Sequence, residues 1–237
     1  MKRLTLALVA TAAALMGAKP EDTGFLDKTI EYNGGPVKYV VYVPKGYSAE
    51  KPLPSILFLH GSGEQGDDGK KQATVGLGNA IRLAEDQWNF IVMFPQKPSG
   101  RGGFMEHEKL ILDIVEKTKK EYKIDEKRQY ITGLSMGGMG TWSLICKYPD
   151  KWAAAAPVCG RGNPADAPKI KDLPIWNFHG DKDNAVPIKG SQDMIDAIKA
   201  AGGTPKFTIY PGVGHNSWDN AYQKEKLNEW FLEQVRK

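Results

Sequence analysis

The chain reads RQYITGLSMGGMGTW from Arg128 to Trp142. Its β-branched and aromatic start, Tyr-Ile-Thr at 130–132, is typical of a buried strand. The next residues, Gly133-Leu134-Ser135-Met136-Gly137, match the G-x-S-x-G pattern of a nucleophile elbow, where a strand turns sharply into a helix. The glycines have a steric reason, because Cβ atoms would clash where strand and helix pack so closely. The stretch therefore predicts a nucleophilic Ser135 at the tip of a strand-to-helix turn.

Strands and helices alternate on both sides of this turn. Continuous apolar runs at 54–60, 90–95 and 173–179 predict strands buried on both faces of a parallel sheet. Helices are predicted over 77–87, 106–122, 136–147 and 188–201, and a further strand over 206–210. Earlier in the chain, Asn33-Gly34-Gly35-Pro36 joins two short strands, 29–32 and 37–43, as a hairpin turn. The order predicts an α/β fold with a mostly parallel central sheet, helices on both faces and an N-terminal antiparallel hairpin.

Length and composition indicate one domain preceded by a leader. The chain has 237 residues, of which 41% are hydrophobic and 25% charged, which is enough material for one sizeable core. Residues 1–18 combine Lys2 and Arg3 with a short apolar run and a small-residue end, as a secretory signal peptide does. We therefore expect a catalytic domain over 19–237 and a secreted or periplasmic location. The formal charge of +4 is too small to favour binding to nucleic acid or to an anionic membrane.

A glycine-rich loop follows the strand predicted at 54–60 and runs from Gly61 to Gly69. Read alone, it is a flexible surface loop. After a buried strand of this kind, its backbone N–H groups at Gly61 and Ser62 are candidates for an oxyanion hole, together with the N–H of Met136. His60, at the end of that strand, is predicted to be structural rather than a general base.

Two further loops supply candidate partners for Ser135. The strand at 173–179 leads into Asp181-Lys182-Asp183, and the strand at 206–210 leads into a loop that contains His215. A serine hydroxyl needs an imidazole to accept its proton, and the imidazole needs a carboxylate to hold its tautomer. The order Ser135, an aspartate near 183, His215 is that of a hydrolase triad.

Other residues are weaker candidates. Arg101, Phe104 and Trp218 lie on loops at the same predicted edge and could shape a substrate pocket. Cys146 and Cys159 are predicted to be free and mostly buried, because the helix carries Cys146 away from the edge that Cys159 approaches.

These motifs resemble the small esterases of the α/β-hydrolase superfamily, including feruloyl esterases, acetyl xylan esterases and polyhydroxybutyrate depolymerases. The resemblance rests on four stretches that span nearly all of residues 19–237: His60-Gly61-Ser62-Gly63-Glu64, Gly133 to Gly138, His179-Gly180 with Asp183 and Val186-Pro187, and Gly214-His215-Asn216-Ser217-Trp218. It implies that Asp183 is the acid of the triad, with Asp181 as the runner-up. It also implies ester hydrolysis without cofactor or metal. No stretch of the sequence is long enough to form a lid domain, so a single catalytic domain without a lid is expected.

Three functions follow in order of preference. The first is a serine carboxylesterase acting on small-molecule or carbohydrate esters, with feruloyl or acetyl esters of plant polysaccharides as candidates. The second is a serine peptidase of the prolyl oligopeptidase type, which shares the triad but usually carries a propeller domain. The third is a non-catalytic binding protein on the same fold. No nucleic acid partner and no stable membrane insertion are expected, and the sequence does not indicate an oligomeric state.

Overall fold

A computed structural model describes residues 23–237 of the chain. The predicted signal peptide at 1–18 lies outside the described residues. Within them, no helix is long and apolar enough to cross a membrane.

One central sheet organises the described part of the chain. Its strands are β1 (Gly24–Tyr32), β2 (Gly35–Val43), β3 (Leu53–Leu59), β4 (Ile91–Pro95), β5 (Ile124–Leu134), β6 (Ala154–Val158), β7 (Trp176–Gly180) and β8 (Lys206–Tyr210). They lie side by side in the order β1-β2-β4-β3-β5-β6-β7-β8. The hairpin β1–β2 is antiparallel and joins β4 in antiparallel fashion, whereas β3 to β8 are mutually parallel. The predicted α/β fold with its N-terminal antiparallel hairpin is confirmed.

Helices cover both faces of the sheet. The α-helices are α1 (Leu77–Leu83), α2 (Glu108–Glu121), α3 (Met136–Lys147), α4 (Lys189–Ala200), α5 (Trp218–Gln223) and α6 (Leu227–Glu233). One hydrophobic core contains residues of α2, α3 and α4, and the other contains residues of α1, α5 and α6. Alternate strand residues supply the two cores. In β3, for example, Leu57 and Leu59 belong to the first and Ile56 and Phe58 to the second.

Local chain geometry explains where several elements begin and end. The turn between β1 and β2 places Asn33 and Gly34 at φ 49° and 85°, the left-handed conformations that an Asn-Gly hairpin turn requires. The helix predicted over 77–87 is shorter. It ends at Leu83 because Ala84 leaves the helical region at φ −150°, and Glu85–Gln87 forms a separate 3₁₀ turn.

The parallel strands all present their carboxyl ends at one edge of the sheet. The loops that follow β3, β4, β5, β6, β7 and β8 therefore meet there, and they carry the candidate site residues.

Candidate active site

Ser135 occupies a sharp turn between β5 and α3. Its backbone lies at φ 55° and ψ −116°, which is strained for a residue with a side chain. A Cβ built on Gly137 would lie 1.9 Å from the Leu59 carbonyl oxygen, and one built on Gly133 would lie 2.5 Å from the Gly137 carbonyl oxygen. The steric reason for these two glycines, inferred from the sequence, is confirmed. The turn holds the Ser135 side chain at the shared edge, partly exposed.

Ser135, His215 and Asp183 form a continuous chain of hydrogen bonds. Ser135 Oγ lies 2.9 Å from His215 Nε2, and His215 Nδ1 lies 2.7 Å from Asp183 Oδ2. The three residues follow β5, β8 and β7, so the sheet brings together positions that are far apart in sequence. In this arrangement Nδ1–H donates to the carboxylate, which leaves Nε2 free to accept the serine proton.

The loop after β7 keeps Asp183 ionised although it is buried. Its side chain has no exposed surface, and the N–H groups of Ala185 and Val186 donate to Oδ1 at 2.9 Å and 2.8 Å. Burial by itself would raise the pKa of Asp183, but the hydrogen bonds from His215, Val186 and Ala185 bring that pKa below its ordinary value. A carboxylate held in this way can stabilise a positively charged imidazole.

Asp181, the runner-up for the same role, is directed elsewhere. It is exposed, and its Oδ1 accepts a hydrogen bond from the N–H of Gly212 at 2.7 Å. This bond ties the loop after β7 to the loop that carries His215.

His179, at the end of β7, supports Asp183 in a way that sequence reasoning did not identify. Its Nε2 lies 2.8 Å from the Val186 carbonyl oxygen and 3.2 Å from Asp183 Oδ2, and its Nδ1 lies 2.8 Å from Ser191 Oγ. Burial lowers the pKa of His179 and so favours the neutral ring. The contacts with Val186 and Asp183 act in the opposite direction but do not outweigh burial. The sequence signal for this role is the position of His179 at the carboxyl end of a buried strand, where functional side chains of parallel sheets are found.

The loop from Gly61 to Gly69, called here the 61–69 loop, lies against the turn at Ser135. A Cβ built on Gly61 would lie 3.8 Å from Ser135 Cβ and 3.1 Å from Glu64 Oε2. Burial raises the pKa of Glu64, and backbone N–H groups of Gly61 and of Glu64 itself oppose that rise. The predicted donor Met136 is the first residue of α3, where backbone N–H groups have no partner within the helix. Gly61 thus approaches Ser135 from the 61–69 loop, and Met136 adjoins it at the start of α3.

His60 is a fully buried structural residue, as predicted. Its Nδ1 lies 2.5 Å from the Gly61 carbonyl oxygen, and its Nε2 accepts a hydrogen bond from the N–H of Lys97 at 2.9 Å. Burial lowers the pKa of His60 to about 4, with Lys97 contributing in the same direction. The neutral ring therefore joins the end of β3 to the end of β4.

Cys159 lies behind the serine, at the end of β6. It is fully buried at φ 40°, and both cysteines are free, as predicted. Cys159, Asp183 and His215 have metal-ligand atoms within 4.8 Å of one another. A metal would need the Cys159 thiolate, yet burial raises the pKa of this thiol to about 12. Asp183 and His215 also already bond each other, so these residues suit proton transfer better than metal binding.

The three candidate pocket residues have different surroundings. Trp218 is partly exposed and packs edge-on against His215, with ring centroids 5.4 Å apart. Phe104 is only 1% exposed and contacts His60 edge-on at 5.0 Å, so it belongs to the core and offers almost no surface to a substrate. The prediction that Phe104 shapes the pocket is therefore wrong. Its ring packs in the hydrophobic core next to Gly140 of α3 and does not face the solvent. Arg101 is exposed on the loop after β4.

Comparison with known proteins gives a consistent set of similarities. The model of the dienelactone hydrolase family matches residues 100–230, which include the elbow, Asp183 and His215. A bifunctional acetylxylan esterase/xylanase of Neocallimastix patriciarum is 31% identical over 150 residues, which cover 62% of this chain and 21% of that protein. Poly(3-hydroxyalkanoate) depolymerase C of Paucimonas lemoignei is 30% identical over 142 residues, covering 54% of this chain and 32% of that protein.

Among solved structures, a thermostable esterase superimposes with a TM-score of 0.81 and 33% identity. The match covers 90% of this chain and 63% of that one. The chain thus spans about a third or less of the length of the two curated relatives described above.

Proposed function

The chain belongs to the dienelactone hydrolase family, and on that basis we propose that it is a serine carboxylesterase that works through an acyl-enzyme intermediate. The observation that carries the proposal is the unbroken chain from Ser135 Oγ through His215 to Asp183, at 2.9 Å and 2.7 Å. Family relatives are named as ester hydrolases, among them acetylxylan esterase, feruloyl esterase and carboxymethylenebutenolidase.

The proposed reaction has two steps. In the first, His215 Nε2 takes the hydroxyl proton as Ser135 Oγ attacks the ester carbonyl carbon, and the same proton passes to the departing alcohol. In the second, a water molecule gives a proton to His215 Nε2 as its oxygen attacks the acyl carbon. His215 then passes that proton to Ser135 Oγ as the bond between the acyl carbon and Oγ breaks and the carboxylic acid leaves. Asp183 stabilises the positively charged imidazole in both steps.

Backbone N–H groups stabilise the negative oxygen that forms in each step. Met136 contributes one from the start of α3, and Gly61 or Ser62 contributes the second from the 61–69 loop. Both sources are backbone groups, and an oxyanion hole requires that such groups be held in place before the charge appears. Trp218, edge-on against His215, and the exposed Arg101 are proposed to border the substrate.

The proposed substrate class is an ester of a carbohydrate or a small molecule, with acetyl and feruloyl esters of plant polysaccharides as first candidates. The names of the acetylxylan esterase and feruloyl esterase relatives support this choice. We further propose that residues 1–18 direct export and are removed, so that the enzyme acts outside the cytoplasm. Sequencing the amino terminus of the protein recovered from the medium or periplasm tests the last point.

A panel of substrates with a matched variant tests the function. Nitrophenyl acetate, butyrate and octanoate, methyl ferulate and acetylated xylan are compared, together with a nitroanilide peptide as the amide counterpart. Ser135→Ala is expected to lower ester hydrolysis by about 10⁴-fold or more with an unchanged melting curve. Activity that survives in a folded Ser135→Ala variant would refute the mechanism. Faster cleavage of the peptide than of every ester would instead favour a peptidase.

A further inference from the structure

The side-chain amide of Gln96 forms hydrogen bonds to residues of the 61–69 loop. Gln96 follows β4 and is 1% exposed. Its Oε1 accepts a hydrogen bond from the N–H of Gly69 at 2.6 Å. Its Nε2 donates to the Glu64 carbonyl oxygen and to Asp68 Oδ1, both at 3.0 Å. One buried side chain therefore contacts the loop at three points.

The neighbouring residue Lys97 adds two contacts through its backbone. Its N–H donates to His60 Nε2 at 2.9 Å, just before the loop begins, and its carbonyl oxygen accepts from the N–H of Gly66 at 3.0 Å. Its buried ammonium group donates to Gln65 Oε1 at 3.0 Å. The two residues that follow β4 thus contact His60, just before the loop, and the loop itself between Glu64 and Gly69.

The loop needs such support because of its composition. Four of its nine residues are glycines, at positions 61, 63, 66 and 69, and glycine loses more conformational freedom on ordering than any other residue. Donors to a developing negative charge are effective only when they are fixed before the charge appears. Within the loop itself, the Glu64 N–H donates to the Gly61 carbonyl oxygen at 3.4 Å, and Gln65 Nε2 donates to the Ser62 carbonyl oxygen at 3.1 Å.

We propose that Gln96 is a positioning residue for the oxyanion hole, which holds the N–H groups of Gly61 and Ser62 in place by clamping the second half of their loop. The proposal rests on the function proposed above and names a residue that does not itself touch the substrate. Its role is to preorganise the loop, so losing the clamp should lower kcat more than it raises KM.

Two variants of Gln96 and one matched control test this inference. Gln96→Leu removes all three bonds, and Gln96→Glu keeps the size and an acceptor for the Gly69 N–H but cannot donate to Glu64 or Asp68 while ionised. Gln129→Leu is the control. Gln129 is also a buried glutamine, but its amide bonds the Glu126 carbonyl oxygen at 3.1 Å, near the amino-terminal end of β5 and far along the strand from Ser135.

The first measurement compares an ester with its thiono counterpart, in which sulfur replaces the carbonyl oxygen. Sulfur is a weak hydrogen-bond acceptor, so the preference for the oxygen ester reports on the oxyanion donors. We expect both Gln96 variants to lose about 10- to 100-fold in kcat, with much of the oxygen preference lost, whereas Gln129→Leu stays within about 2-fold of the wild type. An equal decrease on both esters, or no decrease, would overturn the proposal.

The second measurement is amide hydrogen exchange of residues 61–69, which does not depend on catalysis. Faster exchange in Gln96→Leu, which removes all three bonds, but not in Gln129→Leu, supports the clamp, and unchanged exchange in folded Gln96→Leu refutes it. A wild-type protein as inactive as Ser135→Ala would refute the proposed function instead, and the exchange data would still decide whether Gln96 holds the loop.

Discussion

Asp183 Oδ2 lies 2.7 Å from His215 Nδ1, although the two residues are 32 positions apart in the chain. Asp181 is only two positions before Asp183, yet its carboxylate accepts from the Gly212 N–H and makes no bond to the imidazole. The two aspartates of one loop therefore have different tasks. Asp183 contacts the imidazole, whereas Asp181 links the loops that follow β7 and β8.

This difference predicts unequal effects for two matched substitutions. Asp183→Asn should lower kcat by about 10⁴-fold, because an amide can favour the wrong imidazole tautomer without changing the size of the side chain. Asp181→Asn should cost far less, because an amide oxygen can still accept from the Gly212 N–H. Both variants are assayed on one soluble nitrophenyl ester, with circular dichroism as the folding control. A larger loss in Asp181→Asn would mean that the acid has been assigned to the wrong residue.

Gly137 should tolerate no side chain. A Cβ there would meet the Leu59 carbonyl oxygen at 1.9 Å, which no side-chain movement can relieve. Gly137→Ala is expected to cost at least about 2 kcal/mol in the free energy of unfolding, or to prevent folding altogether. Gly103→Ala is the control, since a Cβ at Gly103 would have no atom within 4 Å and its φ of −107° suits alanine. Urea denaturation that finds the two variants equally stable would contradict the packing described for the elbow.

The buried His60 should make folding stability depend on pH. The folded protein binds a proton at His60 only near pH 4, whereas the unfolded chain does so from about pH 6.5. The stability that the neutral His60 ring contributes to the folded state is fully present above pH 6.5. About 3 kcal/mol of it is lost as the pH falls towards 4.

Comparison with His60→Gln isolates this contribution. Urea unfolding at pH 7 and pH 4.5 should show a larger loss of stability for the wild type than for the variant. The effect of His179, whose pKa is also lowered, is common to both proteins and cancels. Equal losses in the two proteins would show that His60 is not the titrating group.

Both thiols should resist modification in the folded protein. Cys146 and Cys159 are buried, and burial raises their pKa values to about 11 and about 12, so little thiolate is present near neutral pH. We expect no rapid reaction with a thiol reagent under native conditions and reaction of both cysteines in denaturant. Rapid labelling of the native protein would contradict the burial, and a failure to label in denaturant would indicate a disulfide.

Much of the fold and part of the site could be predicted from the sequence, because their causes are local. Alternation of apolar strands with helices indicated the parallel sheet, and the predicted helix 136–147 and strand 206–210 match α3 and β8 to the residue. The glycines around Ser135 indicated the elbow, because the steric conflict they avoid arises between adjacent strand and helix. The free cysteines also followed from the direction of α3 relative to β6.

Only the tertiary structure decided how side chains from different loops combine. It directed Asp183 towards His215, supported Asp183 with His179, fixed the 61–69 loop to Gln96 and placed Phe104 in the core. These outcomes depend on the relative positions of loops that follow β3, β4, β7 and β8. Sequence periodicity indicates which face of an element is apolar and that the ends of parallel strands share one edge of the sheet. It does not fix the distances between side chains on separate loops at that edge, and hydrogen bonds depend on those distances.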